Sequence, residues 1–193
     1  MTLILASGSL ARQNMLRAAG LEFETYPADI DEEIRQISGS PPLDIALSLA
    51  CEKALHVSAK NPDTLVIGAD QILQYEGKIM SKAANENEAR EKLKTLRGKT
   101  HNLISAVAVA KNDKVLWKNT ACAFLTMYNF DDEFLETYIE KAGAALTRSV
   151  GAYELESIGV QLFENIEGDY FTILGMPLLP LLTYLRQEHG IEL

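Results

Sequence analysis

The opening sixteen residues constrain this chain most: the apolar run Leu3-Ile-Leu-Ala stops at Ser7-Gly8-Ser9 and restarts with helical spacing through Arg12 to Leu16. A buried strand, a loop of small residues and a helix start in immediate succession are the opening of an α/β unit. The first N–H groups of such a helix have no intrahelical partner, and its dipole favours an anion there. Ser7 and Ser9 add hydroxyl donors, and Arg12 can fork onto a phosphate. The chain thus begins with the parts of a phosphate cradle.

Strand and helix patterns go on alternating. Residues 9–19 read as the first helix, 23–26 as a short strand and 27–33 as an acidic loop. Pro41-Pro42 opens a helix over 43–60, with Ile45, Leu49, Ala50, Ala54 and Val57 at helical spacing. Residues 64–68 are rich in β-formers, and 72–74 with 78–80 flank Glu76-Gly77 as a hairpin. A charged helix is expected over 86–96, closed by Gly98. Strands are expected over 100–110 and 115–128 around the turn at 111–114, then a helix capped by Asp131 and a last helix over 177–189. Nothing marks a linker or a repeat, so one α/β domain over 1–193 is the expectation.

Composition narrows the function classes. A net charge of -9 argues against nucleic-acid polymers, which need a positive footprint, but a nucleotide needs only a few local cations or a metal. Cys51 and Cys122 are too few for a disulfide framework and read as buried thiols of a reducing compartment. Residues 3–6 are too short for a signal h-region, and the longest apolar stretch, 173–185, is broken by Gly175, Pro177 and Pro180. A cytoplasmic protein with no membrane partner is expected.

Asp70 follows Gly68-Ala69 at the expected end of an apolar strand, where α/β proteins place ligands, and the small residues would let a ligand approach the backbone. A lone aspartate there is more often a turn former. Lys53 lies mid-helix and Lys82 follows the first hairpin; the commoner fate of each is a solvated lysine. Asp29, Asp31, Glu32 and Glu33 form an acidic cluster of the kind that is usually solvated but that a hard cation also requires. His101 reads as structural or surface, since no histidine has metal-ligand spacing. Tyr153, Glu154 and Glu156 follow Gly151 as a further candidate stretch.

Taken in order, these blocks resemble the Maf family of nucleoside triphosphate pyrophosphatases. The family's LASxSPRRxxLL opening is matched from residue 5, DE at Asp31-Glu32, EKA at Glu52-Lys53-Ala54 and the VIGAD-like strand at 66–70. The K-P loop is matched at Lys82-Ala83, G-x-T-H at 98–101, and GAY…GDY…GLPL at 151–153, 168–170 and 175–178. The resemblance covers essentially the whole chain.

It implies an α/β fold of the Maf/HAM1-like kind: a twisted mixed β-sheet with flanking helices, in two lobes around a central cleft. It also implies a house-cleaning hydrolase, commonly a homodimer, that converts a nucleoside triphosphate to the monophosphate and pyrophosphate with a divalent cation, Mg²⁺ or Mn²⁺. Carried over by position, Ser7, Ser9 and Arg12 hold the phosphates, and Lys53 and Lys82 neutralise their charge. Glu32 becomes a metal-site carboxylate together with Asp70, and Asp70 orients or deprotonates the attacking water. This chain departs from the pattern at Leu10-Ala11, where the family has Pro-Arg, and at Ser81 and Ala83, which flank Lys82 in place of glycine and proline. Gln71 and Glu156 resemble the branch acting on 7-methyl-GTP, whereas the branch acting on dTTP and UTP carries Thr and Gln there. An acceptor-only carboxylate suits the N1–H and N2–H₂ donors of a guanine edge. The lean is therefore to 7-methyl-GTP. The open alternatives are a dTTP/UTP pyrophosphatase and a catalytically weak nucleotide-binding regulator of cell division.

Overall fold

The computed structural model describes residues 2–30 and 40–191. Apolar residues on both sides of the opening strand β1 (Leu3–Leu5) show why it becomes the middle of a layered structure. Leu3 and Leu5 pack with Met15, Leu16, Leu181 and Leu185, while Ile4 packs with Val57 and Val66 on the other side. A strand buried on both faces needs helices on both faces. They are α1 (Leu10–Ala18) and α7 (Leu178–His189) on one side and α2 (Pro42–Ser58) on the other. β1 runs parallel to β2 (Glu24–Thr25) and to β3 (Leu65–Tyr75), with Leu5 opposite Ile67.

β3 runs unbroken through Asp70, so this aspartate sits inside a strand and not at its end. The small residues 68 and 69 looked like a strand terminus in sequence. In the structure they mark where α2 crowds the sheet: a Cβ on Gly68 would lie 2.2 Å from the Ala50 carbonyl oxygen. At Gly68 it is a helix that comes close to the backbone.

Among the described residues seven strands form one mixed sheet in the order β2-β1-β3-β5-β6-β7, with β4 (Lys78–Met80) paired antiparallel to β3. β5 (Thr100–Lys111) and β6 (Lys114–Met127) are joined by Asn112-Asp113, both with positive φ, the backbone a tight hairpin turn requires. β7 (Phe163–Glu167) runs antiparallel to β6. β6 alternates outward and inward, which puts Cys122 on its exposed side; Cys51 is half-buried, so neither thiol is the buried one the composition suggested.

The chain divides into two compact units: Met1–Gln71 with Ile104–Ala121 and Tyr170–Leu193, and Ile72–Leu103 with Cys122–Asp169. In the second unit α3 (Glu86–Leu96), capped by Asn85, lies beside α4 (Asp132–Ala142), capped by Asp131. Arg90 bridges to Glu136 at 2.8 Å and Arg97 to Asp132 at 2.5 Å. The one-turn helix α5 (Ala145–Arg148) and a 3₁₀ turn (Ile158–Leu162) flank the 149–157 loop, and α6 (Tyr170–Ile173) belongs to the first unit. No helix among the described residues is long and apolar enough to cross a membrane.

Candidate active site

The Ser7–Arg12 cradle is built from its own side chains. Ser9 caps α1, its hydroxyl accepting from the Arg12 N–H at 3.5 Å, and the Ser7 Oγ accepts from the Ser9 N–H at 3.3 Å. Two N–H groups expected to face an anion are thus already met, while both serine hydroxyl protons still have their donor capacity. Arg12 is buried; its Nε donates to the Gly175 carbonyl at 2.9 Å and its Nη1 to Ser7 Oγ at 3.1 Å. Gly175 has φ +108°, and a Cβ there would come within 3.3 Å of Arg12 Nε. The glycine therefore turns its carbonyl onto the guanidinium and clears room for it.

Beside this loop lies a buried ion pair. Lys53 Nζ and Asp70 Oδ1 stand 2.6 Å apart, both side chains more than nine-tenths buried. Residues 68 and 70 share the face of β3 that meets α2, and Lys53 is one turn on from Ala50, the residue against which Gly68 packs. Lys53 is therefore not a solvated helix lysine. Close helix–sheet contact at Gly68 brings its ammonium onto the Asp70 carboxylate, and a charge-assisted hydrogen bond of this kind fixes the orientation of both side chains. The register Leu5–Ile67 brings the end of β1, and so Ser7, next to the Gly68–Asp70 stretch.

Gln71 points to the opposite face. Its Nε2 donates to Ser105 Oγ at 3.1 Å and to the Thr172 and Ile173 carbonyls at 3.1 and 2.9 Å. Three acceptors around one nitrogen fix the amide's orientation. Its oxygen takes no hydrogen bond among the described residues.

Lys82 and Glu156 belong to the second unit, both exposed at the surface of loops. Tyr153 and Glu154 precede Glu156 in a tightly held stretch. Ala152 is buried with φ +60°, a conformation costing about 1–3 kcal/mol that survives only where its surroundings impose it. The Tyr138 hydroxyl donates to the Ala152 carbonyl at 3.0 Å, and Glu154 accepts from Arg148 at 2.7 Å. His101 Nε2 shares a 2.7 Å hydrogen bond with the buried Tyr153 hydroxyl. Glu32 and its neighbour Asp31 lie outside the described residues.

Burial pushes His101 down from 6.5 to about 4, so the ring is neutral at pH 7 and structural, as expected. The unfolded chain then binds more protons than the folded one between those two values, so folding stability falls as pH drops through that window. Urea titrations from pH 7 to pH 4.5 are expected to show this loss at up to about 1.4 kcal/mol per pH unit. The His101→Gln variant is expected to lack that part of the slope, and equal slopes would remove His101 as its source.

The Maf-like protein family model matches residues 2–188. The chain belongs to this family. Among its relatives, a nucleoside triphosphate pyrophosphatase of Nitrobacter winogradskyi is 48% identical, with 99% of this chain and 96% of that one covered. A 7-methyl-GTP pyrophosphatase of Brucella abortus is 47% identical, with 98% of each chain covered. Among solved structures, a HAM1 protein from Coxiella burnetii aligns with a TM-score of 0.46 at 14% identity, over 83% of this Maf-like chain and 97% of that one. Sequence reasoning missed two residues that shape this site in the Maf-like protein. Gly68 was visible only as a small residue and Gly175 only as part of a turn.

Proposed function

We propose that this chain hydrolyses a nucleoside triphosphate to the monophosphate and pyrophosphate. The buried Lys53–Asp70 pair next to the Ser7–Arg12 loop carries this reading. In it, Ser7, Ser9 and Arg12 take the phosphate oxygens, and Lys82 neutralises further phosphate charge. Asp70, oriented by Lys53, accepts a proton from water as the water oxygen bonds to the α-phosphorus. The bond from that phosphorus to the bridging oxygen breaks, and pyrophosphate leaves with the electron pair. Phosphoryl chemistry of this kind rests on alignment and charge neutralisation and needs no nucleophilic side chain.

A divalent cation fits the donor chemistry. The described residues contain no group of three His, Cys, Asp or Glu able to hold a metal by themselves. Mg²⁺ characteristically takes one or two carboxylates and completes its shell with water and substrate phosphates. Asp70, with Glu32, would hold it, and when bound it would neutralise phosphate charge and lower the pKa of a water.

We further propose 7-methyl-GTP as the preferred substrate. Glu156 is acceptor-only, and Gln71, its nitrogen already committed, presents an oxygen. Acceptors suit the N1–H and N2–H₂ donors of guanine, and Glu156 also favours a cationic 7-methylguanine ring. A uracil or thymine edge would set its two carbonyls against a carboxylate, leaving acceptors on both sides unpaired. The test is pyrophosphate release with Mg²⁺ or Mn²⁺ from 7-methyl-GTP, GTP, UTP and dTTP. The expected result is highest kcat/KM on 7-methyl-GTP, with the Glu156→Gln variant losing about tenfold of that preference, the scale of one charged hydrogen bond. Higher kcat/KM on UTP or dTTP would overturn the base preference; binding without product from any of the four would overturn the hydrolase.

A further inference from the structure

Lys92 lies on α3 among Glu86, Glu88, Glu91 and Lys94, where an exposed side chain is expected. It is instead buried, and its ammonium donates to two main-chain carbonyls, those of Ser81 and of Val150, the latter at 2.8 Å. Burial lowers its pKa to about 8, with Glu88 opposing the shift, as befits an ammonium drawn out of water. Both carbonyls belong to loops that carry surface-exposed candidate ligands. Ser81 immediately precedes Lys82, and Val150 leads into the stretch that ends at Glu156.

The second loop is held from every side. The Tyr153 N–H donates to Ser149 Oγ at 2.9 Å, the Tyr153 hydroxyl is bonded to His101, and Ala152 is forced into the left-handed region. Such over-determined backbone is a feature of positions where geometry matters to function. The Lys82 loop is tied to the same helix at its other end, where the Ala84 N–H donates to Glu88 Oε2 at 2.9 Å. One buried charge joins the two loops, and α3, a regular helix, carries it.

We propose that Lys92 is a positioning residue that sets the separation of Lys82 from Glu156, and so matches the second unit to the length of a nucleotide from its phosphates to its base. The inference rests on the proposed function, in which those two side chains meet the two ends of the substrate. A ligand lacking the base would not sense this spacing.

The experiment compares wild type with Lys92→Met, which keeps the stem of the side chain and removes its donors. Two quantities are read: KM for the best nucleotide of the panel, and the inhibition constant of inorganic tripolyphosphate against the same reaction. The expected result is a KM raised about tenfold with kcat changed less than about threefold, the pattern of lost substrate binding. The tripolyphosphate constant should stay within about twofold of wild type, because that ligand makes the phosphate contacts alone. A lowered melting temperature with unchanged KM would make Lys92 a structural strut and overturn the proposal. So would a parallel loss for nucleotide and tripolyphosphate. Should Lys92→Met not fold, Lys92→Gln, shorter and uncharged, is read against the same outcomes. Absence of turnover by wild type overturns the functional reading and this inference together; turnover by wild type with unaltered KM in the variant overturns the inference alone.

Discussion

Asp70→Asn is expected to lower kcat by about 10²–10⁴-fold, the range carried by a positioned general base, while KM moves little. The amide keeps the shape of the side chain and cannot take the proton from water. The same substitution leaves the Lys53 ammonium, 2.6 Å away and buried, without its counter-charge. Breaking a buried pair by removing one partner costs about 3–5 kcal/mol. Since the amide oxygen still accepts a hydrogen bond from Lys53, the lower end of that range is expected. Stopped assays and urea denaturation of the purified variant separate the two effects. A variant that is destabilised yet keeps kcat within about tenfold of wild type would leave Asp70 as a structural partner and remove it as the base.

Gly68→Ala should be the most damaging single methyl group in the first unit. A Cβ at this position would stand 2.2 Å from the Ala50 carbonyl oxygen and 2.6 Å from the Ala54 nitrogen, both main-chain atoms of α2 that cannot rotate away. The helix must shift as a body. Overpacking of this kind costs about 1–3 kcal/mol and at times more. At about 2–4 °C per kcal/mol for a chain of this length, a melting temperature roughly 5–10 °C lower is expected. Activity should fall as well, because the displaced helix carries Lys53 away from Asp70. Gly77→Ala is the comparison: with φ +77° it is strained, but nothing lies within 4 Å, so some stability is lost and activity is kept. A Gly68→Ala protein with wild-type melting and turnover would refute the account of how Lys53 reaches Asp70.

Much of this architecture is legible residue by residue. A small-residue loop before an apolar-periodic run marks a helix start; the sequence puts it at Ser9, and α1 begins one residue on with Ser9 as its cap. Asp131 does the same for α4, and Asn112-Asp113 between two alternating runs turns a hairpin. These are local signals: each depends on neighbours a few positions away. Reading Asp70 as a strand end failed because small residues mean the same thing in sequence whether a strand stops or a helix crowds it. Residue type alone makes Cys122 a buried thiol, whereas the alternation of β6 decides its face. Lys53 and Lys92 share a single difficulty. A lysine on a helix is solvated unless something distant meets it, and the partners here lie 17 residues off for Lys53 and 11 and 58 residues off for Lys92.

The sequence by itself determined the alternation of strand and helix, the small-residue loop and helix start at Ser7–Arg12, and the ordered blocks that mark a Maf-like protein, since all of these are written in short-range pattern and residue type. Only the tertiary structure decided which charges are buried. The pairing of Lys53 with Asp70 and the clasp of Lys92 on Ser81 and Val150 depend on where helices press on strands and loops. A buried ammonium is stable only where that packing supplies its acceptors.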